Sequence, residues 1–370
     1  METPLHFGPQ HPSTHGVLHL NLVLDGERII SCDPDVGLIH RGLEKIAENR
    51  MYFKFTPIAN KIDYVAAAAW EHCYISAVEK LQGIQIPERA TWARLIILEL
   101  TRVMSHLFWI GTLVMDLGQP TVFVWAMRER ERVLDVFEEI MGGRMTFGWM
   151  MIGGLRDDIT PAQVQMVRDC VTYIEERLPE YLPLTEQNGI FRKRLIGTGV
   201  ITREQALQYG LTGPNARASG VAYDVRRDDP YLTYDKLDWN VITRTAGDNY
   251  ARYEVRRDEI HESIRLIKQA IGRLPDGPIR APNAVTIKPP LALSMRTPKS
   301  GEALVRAECP RGEGVIYLRS DGSNFPYRLR IRGPSFNNLS ILSTLLPGMN
   351  IPDMVATIAT LDPVFGECDR

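Results

Sequence analysis

The sequence predicts an α+β fold, a central helical bundle with small β regions toward the N- and C-terminal ends. Three observations carry this. Alternating apolar residues suited to strands occur at about 17–31 and 302–332. Helical periodicity fills about 60–182 and returns at 248–274. Glycine and proline gather between these blocks rather than inside them.

Residues 17–31 read as a hairpin. VLHLNLVL sets Leu18, Leu20, Leu22 and Leu24 on one face, Asp25-Gly26 is a favoured tight turn, and RIIS returns. GPQHPSTHG, just before it, is a loop by composition. DYVAAAAWEHCYISAVEKLQG is helical and ends at Gly83. A second helix starts near Pro87, with Glu88 in its first turn, and runs to about Gly118. Its apolar positions wrap most of the circumference, which predicts burial on several sides. A third, RERERVLDVFEEIMGG, is amphipathic and closes on Gly142-Gly143. A fourth runs from an N-cap at Thr160, before Pro161, to about Leu178. Residues 183–247 read as mostly irregular. The helix at 248–274 carries Ile260, Ile264, Ile267 and Ile271 on one stripe. Residues 275–300 are Pro-rich and extended. EALVRAE, GVIYLRS and PYRLRIR are short strands, the last two joined by DGSNF. The expected organisation is an N-terminal β-rich region (1–58), the bundle (59–182) and a C-terminal α+β region (183–370).

Composition narrows the function. Hydrophobic residues make up 44% and charged residues 24% of the 370, a globular profile. The net charge of −2 supplies no field for nucleic acid or anionic lipid, which leaves a small ligand or protein surfaces. The longest charge-free run near the middle, 103–115, has thirteen residues, short of the roughly 20 that span a bilayer. METPLHFGPQ lacks a basic patch followed by an apolar stretch, so an intracellular location is expected. Cys32, Cys73, Cys170, Cys309 and Cys368 form no C-x-x-C pair. Reduced thiols are expected rather than a disulfide framework, zinc ribbon or iron–sulfur cluster.

Three constellations have chemical potential. GPQHPSTHG presents His11 and His15 from a rigid loop. Pro12 opposes the helix that would let two histidines four apart share a metal, so no metal site is assigned. The imidazoles are either structural or placed to exchange protons near neutral pH. In TPIANKIDY, Tyr64 falls at the start of a helix, as a core or interface residue or as a phenol facing a cleft. In MDLG, Asp116 ends a long uncharged run. It is either a solvated helix terminus or a buried carboxylate that needs a partner such as a histidine. Gly142-Gly143 and Gly153-Gly154 form no dinucleotide fingerprint, and no phosphate-binding loop occurs. Arg128-Glu129-Arg130-Glu131-Arg132 reads as a salt-bridged helix face.

Taken in order, GPQHPSTHG, GLIHRGLEKIAENR, TPIANKIDY, ILELTRVMSHL, MDLG, RERERVLDVFEEIMGGRM, GLTGPNARASGVAYDVRR and PDMVATIATLDPVFGECDR closely resemble one family. It is the 49-kilodalton or D-type subunit (H-type in chloroplasts) of proton-pumping NADH–quinone oxidoreductase, respiratory complex I. The resemblance runs from about residue 7 to the C-terminus. It implies a fold like the nickel–iron hydrogenase large subunit, from which the family descends. Hydrogenases hold nickel with two C-x-x-C pairs, one of them after Asp-Pro near the C-terminus. Here Asp362-Pro363 is followed by Val364 and Glu367, and TPIANK has no cysteine, so the soft-ligand site for nickel is gone.

The resemblance implies that His15 and Tyr64 hydrogen-bond a quinone headgroup (ubiquinone, menaquinone or plastoquinone) and that Asp116 pairs with His15. It implies that Arg41 lies near an iron–sulfur cluster held by the small B-type partner. C-type and I-type peripheral-arm subunits and an H-type membrane subunit are the other expected partners. The chain itself would be peripheral, on the cytoplasmic face of the membrane, with no transmembrane helix of its own and no role in binding nucleic acid. Residues 1–58 would line the quinone cavity. One departure stands out: the family commonly has histidine after Gly-x-Arg-Met, and this chain has Thr146. PYLTY and TAGD also resemble segments of deazaflavin-dependent relatives, so NADH, ferredoxin and reduced deazaflavin all stay open as donors. A membrane-bound hydrogenase subunit is the weaker alternative.

Overall fold

The computed structural model describes residues 2–11, 16–282, 284 and 297–370, with 286–288 and 292–294 as backbone. The N-terminal sheet is antiparallel, in the order β1 (Glu2–Phe7), β2 (His19–Asp25), β3 (Arg28–Asp35). The expected hairpin is its β2–β3 pair, and Leu18, Leu20, Leu22 and Leu24 are all buried. Gly26, at φ 63°, and Glu27 form the turn between the paired Asp25 and Arg28. β1 adds a third strand that the sequence pattern did not mark.

Two short helices follow within 1–58: α1 (Leu43–Glu48) and most of α2 (Tyr52–Ala59). That region thus holds short helices as well as its strands. With six and eight residues, neither helix is long enough to display a 3.6-residue period. The bundle comprises α3 (Ala67–Gln82), α4 (Glu88–Asp116), α5 (Pro120–Met141) and α6 (Pro161–Arg177). Gly83 closes α3 in the left-handed conformation, and Thr160 and Gln163 form a reciprocal capping box on α6. α5 starts at Pro120, earlier than its amphipathic stretch suggested. Two-residue strands β4 (Met150–Met151) and β5 (Gly154–Leu155) pair between α5 and α6.

α4 is the axis of the molecule, packed against α3, α5 and a later long helix. By length and composition it is apolar enough to cross a membrane, so the thirteen-residue charge-free run understated it. However, 89% of its most apolar window is buried inside this chain. The charges that interrupt it are paired internally: Arg94 with Glu79 at 2.7 Å, and Glu99 with Arg226 at 3.1 Å.

Residues 183–247 are not featureless. They hold α7 (Gly189–Leu195), α8 (Arg203–Gln208), α9 (Gly213–Arg217) and α10 (Val225–Asp228), three of them started by side-chain caps from Asn188, Thr202 and Asp224. α11 (Asn249–Arg273), capped by Asp248, buries the four-isoleucine stripe against α4. β6 (Thr286–Lys288) pairs with β7 (Ala292–Ser294). Then β8 (Gly301–Cys309), β9 (Gly312–Ser320) and β10 (Arg328–Arg332) form an antiparallel sheet in the expected places, ordered β10–β9–β8. α12 (Pro334–Leu339), α13 (Leu342–Leu345), α14 (Ile351–Leu361) and α15 (Phe365–Asp369) end the chain.

The hydrophobic interior has two main parts. The larger joins the bundle, α11 and the β8–β10 sheet. The smaller joins the N-terminal sheet to α13, α14 and Phe365. All five cysteines are buried and unbridged.

Candidate functional site

A cleft of about 290 Å³ opens where the two cores meet. From the bundle side come Tyr64, Val65 and, on α4, Phe108, Thr112, Met115 and Asp116. From the other side come Gly16 and the turn Asp362-Pro363-Val364. Arg311, in the tight β8–β9 connection, completes the lining. Two of the residues selected from sequence, Tyr64 and Asp116, thus share one cleft. His15 lies outside the described residues, so its expected pairing with Asp116 does too. Its neighbour Gly16 is on the wall. Gly16 has φ +139°, and a Cβ there would approach Phe365 Cδ2 to 2.8 Å.

Tyr64 does not begin α3. It sits in the bend ahead of it, 38% exposed as a residue. Asp63 builds that bend: its Oδ1 accepts hydrogen bonds from the backbone N–H of Val65 (2.9 Å) and Ala66 (3.1 Å). Its Oδ2 meets Arg311 at 2.8 Å. Arg311 also pairs with Asp362 at 3.3 Å and donates to Ser105 Oγ at 3.2 Å. Burial raises the Tyr64 pKa, and the charge on Asp63 raises it further against the opposing pull of Arg311 and Arg41. The phenol therefore stays protonated at neutral pH and is a donor.

Arg41 belongs to the same neighbourhood. Its guanidinium bonds the carbonyls of Lys61 (3.1 Å) and Gly366 (2.8 Å), and its charge acts on Tyr64. The 39–42 turn is tied to the chain end: Ile39 N–H donates to Asp369, and Arg41 N–H to the Arg370 carbonyl. Glu367, on α15, is fully buried. Its carboxyl accepts from Trp70 Nε1 (3.0 Å) and from the backbone N–H and hydroxyl of Ser335.

Behind the cleft a buried charge network continues. Arg256 lies 3.9 Å from Asp362 and over the Trp109 ring. His106 Nε2 bonds Glu259 at 3.0 Å, and Glu259 pairs with Arg217, which pairs with Glu308. Burial pushes the His106 pKa down to about 4, so the imidazole is neutral at pH 7 and donates to Glu259.

Arg311, Asp63 and Glu367 were not selected as site residues from sequence. Asp63 was adjacent to a selected residue, and Glu367 was noted only as a replaced cysteine. Arg311 carried no local signal beyond standing in a tight strand–strand turn. The Arg128–Arg132 face is salt-bridged as read, except that Glu129 is buried, held by Arg128 and by the Tyr181 hydroxyl. Among the described residues no cluster of three His, Cys, Asp or Glu side chains has metal-binding geometry.

Comparison with known proteins places the chain. Residues 116–370 match the family model described as the respiratory-chain NADH dehydrogenase 49 Kd subunit. The D-type subunit of NADH-quinone oxidoreductase from Geobacillus thermodenitrificans is 44% identical, over 100% of this chain and 98% of that one. The chain belongs to the 49 kDa, D-type subunit family of complex I. The corresponding protein of Syntrophobacter fumaroxidans is likewise 44% identical, over 99% of this chain and 96% of its own length. A chain of the membrane-bound sulfane sulfur reductase, an archaeal respiratory membrane complex, superposes with a TM-score of 0.94 at 37% identity, covering 100% and 98% of the two chains. The family lies within the hydrogenase large-subunit superfamily, in agreement with the expected fold. A member is one subunit of a multi-subunit respiratory oxidoreductase.

Proposed function

We propose that this chain forms the quinone-reducing site of a complex I type oxidoreductase, with electrons arriving from an iron–sulfur cluster in an adjoining B-type subunit. The observation that carries the reading is the cleft itself. A protonated phenol and a buried guanidinium share its lining with Val65, Phe108, Met115, Pro363 and Val364. Its volume suits a ring-sized headgroup. Val364 and Glu367 stand where a nickel enzyme needs thiolates, and neither is a soft ligand.

The chemistry of the residues follows. Tyr64 donates a hydrogen bond, then a proton, to a carbonyl oxygen of the bound headgroup. Arg311 offsets negative charge in the cleft as electrons enter, and it needs no reorganisation because Asp63, Asp362 and Ser105 hold it. His15 and Asp116 serve the second carbonyl as a proton-exchanging pair. Arg41 places a fixed positive charge on the side expected to face the partner's cluster, where it favours cluster reduction. Thr146, exposed beyond α5, cannot titrate at that interface as a histidine would. Proton loss from these residues would then bias charged elements of the attached membrane arm. C-type and I-type subunits and an H-type membrane subunit complete the expected surroundings, at the cytoplasmic face of the membrane. The organisation into 1–58, 59–182 and 183–370 belongs to the same proposal.

A second reading keeps the fold and changes the reactants. The likeness to a sulfane sulfur reductase chain favours a complex whose acceptor is not a quinone, and ferredoxin or deazaflavin donors fit the same subunit. The purified assembled complex separates the two. Quinone reduction that is lost in Tyr64→Phe supports the first. No quinone reduction in the intact wild-type complex, with sulfane sulfur reduced instead, supports the second.

A further inference from the structure

We infer that Glu367 is a positioning residue whose protonation state sets the proton affinity of Tyr64; the inference rests on the quinone-site reading above. Ion pairing gives the first argument. Asp63 and Asp362 both pair with Arg311, and Asp362 faces Arg256 as well. Glu367 is completely buried and makes no ion pair among the described residues. Ionised, it adds a negative charge behind the site; protonated, it adds none.

The second argument is that its surroundings accept both states. Three donors, Trp70 Nε1 and the N–H and hydroxyl of Ser335, satisfy the carboxylate. The Ser335 hydroxyl can rotate to accept from a protonated carboxyl, since its oxygen already accepts from the Val364 N–H and has a further lone pair. No heavy atom need move.

The groups facing Glu367 decide where it titrates. Asp63 and Tyr64 face it from the bend before α3, Arg311 from the β8–β9 turn, Cys309 from β8, and Cys368 from its own helix. Burial and Asp63 raise its pKa, Arg311 and Ser335 lower it, and the balance falls at about 7. Its charge acts on Tyr64, and Gly366, the residue before it, packs on the Tyr64 ring. Above that pKa the added charge strengthens the hold of Tyr64 on its proton, and proton delivery slows.

The test is the pH profile of kcat for reduction of a short-chain quinone by the assembled complex, in wild type, Glu367→Gln, Ser335→Ala and Tyr64→Phe. Wild type is expected to lose kcat by up to about tenfold across a limb near pH 7, the most that one pKa unit in the donor can carry. Glu367→Gln should flatten that limb and remove an infrared band of a protonated carboxylic acid. Ser335→Ala, which deletes a hydrogen bond favouring the charged form, should move the limb to higher pH. A limb that persists in Glu367→Gln overturns the inference, as does an unmoved limb in Ser335→Ala if Glu367→Gln does not assemble. If Tyr64→Phe is impaired while those limbs stay unchanged, only the role of Glu367 falls. If Tyr64→Phe keeps full activity, the quinone-site reading falls with it.

Discussion

Gly366 lies so close to Tyr64 that a Cβ on it would sit 3.2 Å from the ring carbon Cε1. The same Cβ would come within 2.6 Å of the Ile62 carbonyl and 3.2 Å of an Arg41 nitrogen. The C-terminal segment therefore sets the position of the phenol through backbone contact. Gly366→Ala is expected to displace Tyr64 and lower quinone reductase activity by up to about 100-fold, the scale of an ångström-level misplacement of a catalytic group. Activity normalised to assembled complex checks this; an unchanged rate would show that the ring is not positioned from that side.

Arg311 is the cation that Asp63 and Asp362 share. Arg311→Ala removes it and leaves the bend before α3 without its buried anchor. A loss of about 3–5 kcal/mol is expected, as for removing one partner of a buried ion pair. Thermal unfolding of the complex, together with subunit yield, reads this out. A loss below about 1 kcal/mol would contradict the anchoring role.

Glu71, on α3, is fully buried, and neither carboxyl oxygen has a hydrogen-bond partner among the described residues. Burial raises its pKa well above 4.5, against the pull of Arg94 and Arg156. The sign follows: the folded state binds the proton more tightly than the unfolded state, so stability from this group is full below about pH 4.5 and declines as pH rises toward the folded value. Glu71→Gln stays neutral, so its melting temperature should gain on wild type between about pH 5 and pH 8. A difference independent of pH would show that Glu71 does not titrate.

Thr146 gives a redox prediction. With no titratable side chain there, the cluster proposed for the adjoining subunit is expected to shift much less than the ~59 mV per pH unit of one proton per electron. Thr146→His should steepen that slope. A steep slope in wild type, measured by potentiometric titration, would show that another group couples the proton.

What the sequence disclosed depended on the range of the interaction. The hairpin was legible because leucines alternate from Leu18 to Leu24, α6 because Thr160 caps it locally, and α11 because four isoleucines fall on one stripe. β1 was not, since Glu2–Phe7 is largely exposed and shows little alternation. The helices between 183 and 247 span four to seven residues, too short for a periodic signal, and their caps were overlooked among the glycines and prolines. In the cleft, Tyr64 and Asp116 were reached through the motif resemblance. Arg311 was missed because its partners are 248 and 51 residues away, and only the folded chain brings them together.

The most direct test of the account is quinone reduction by the assembled complex carrying Tyr64→Phe, with His15→Ala beside it. Loss of a general acid typically costs about 100-fold or more, so kcat should fall by that order while the subunits remain assembled. Full activity in both variants, in an intact complex, would contradict the assignment of this cleft as the quinone site.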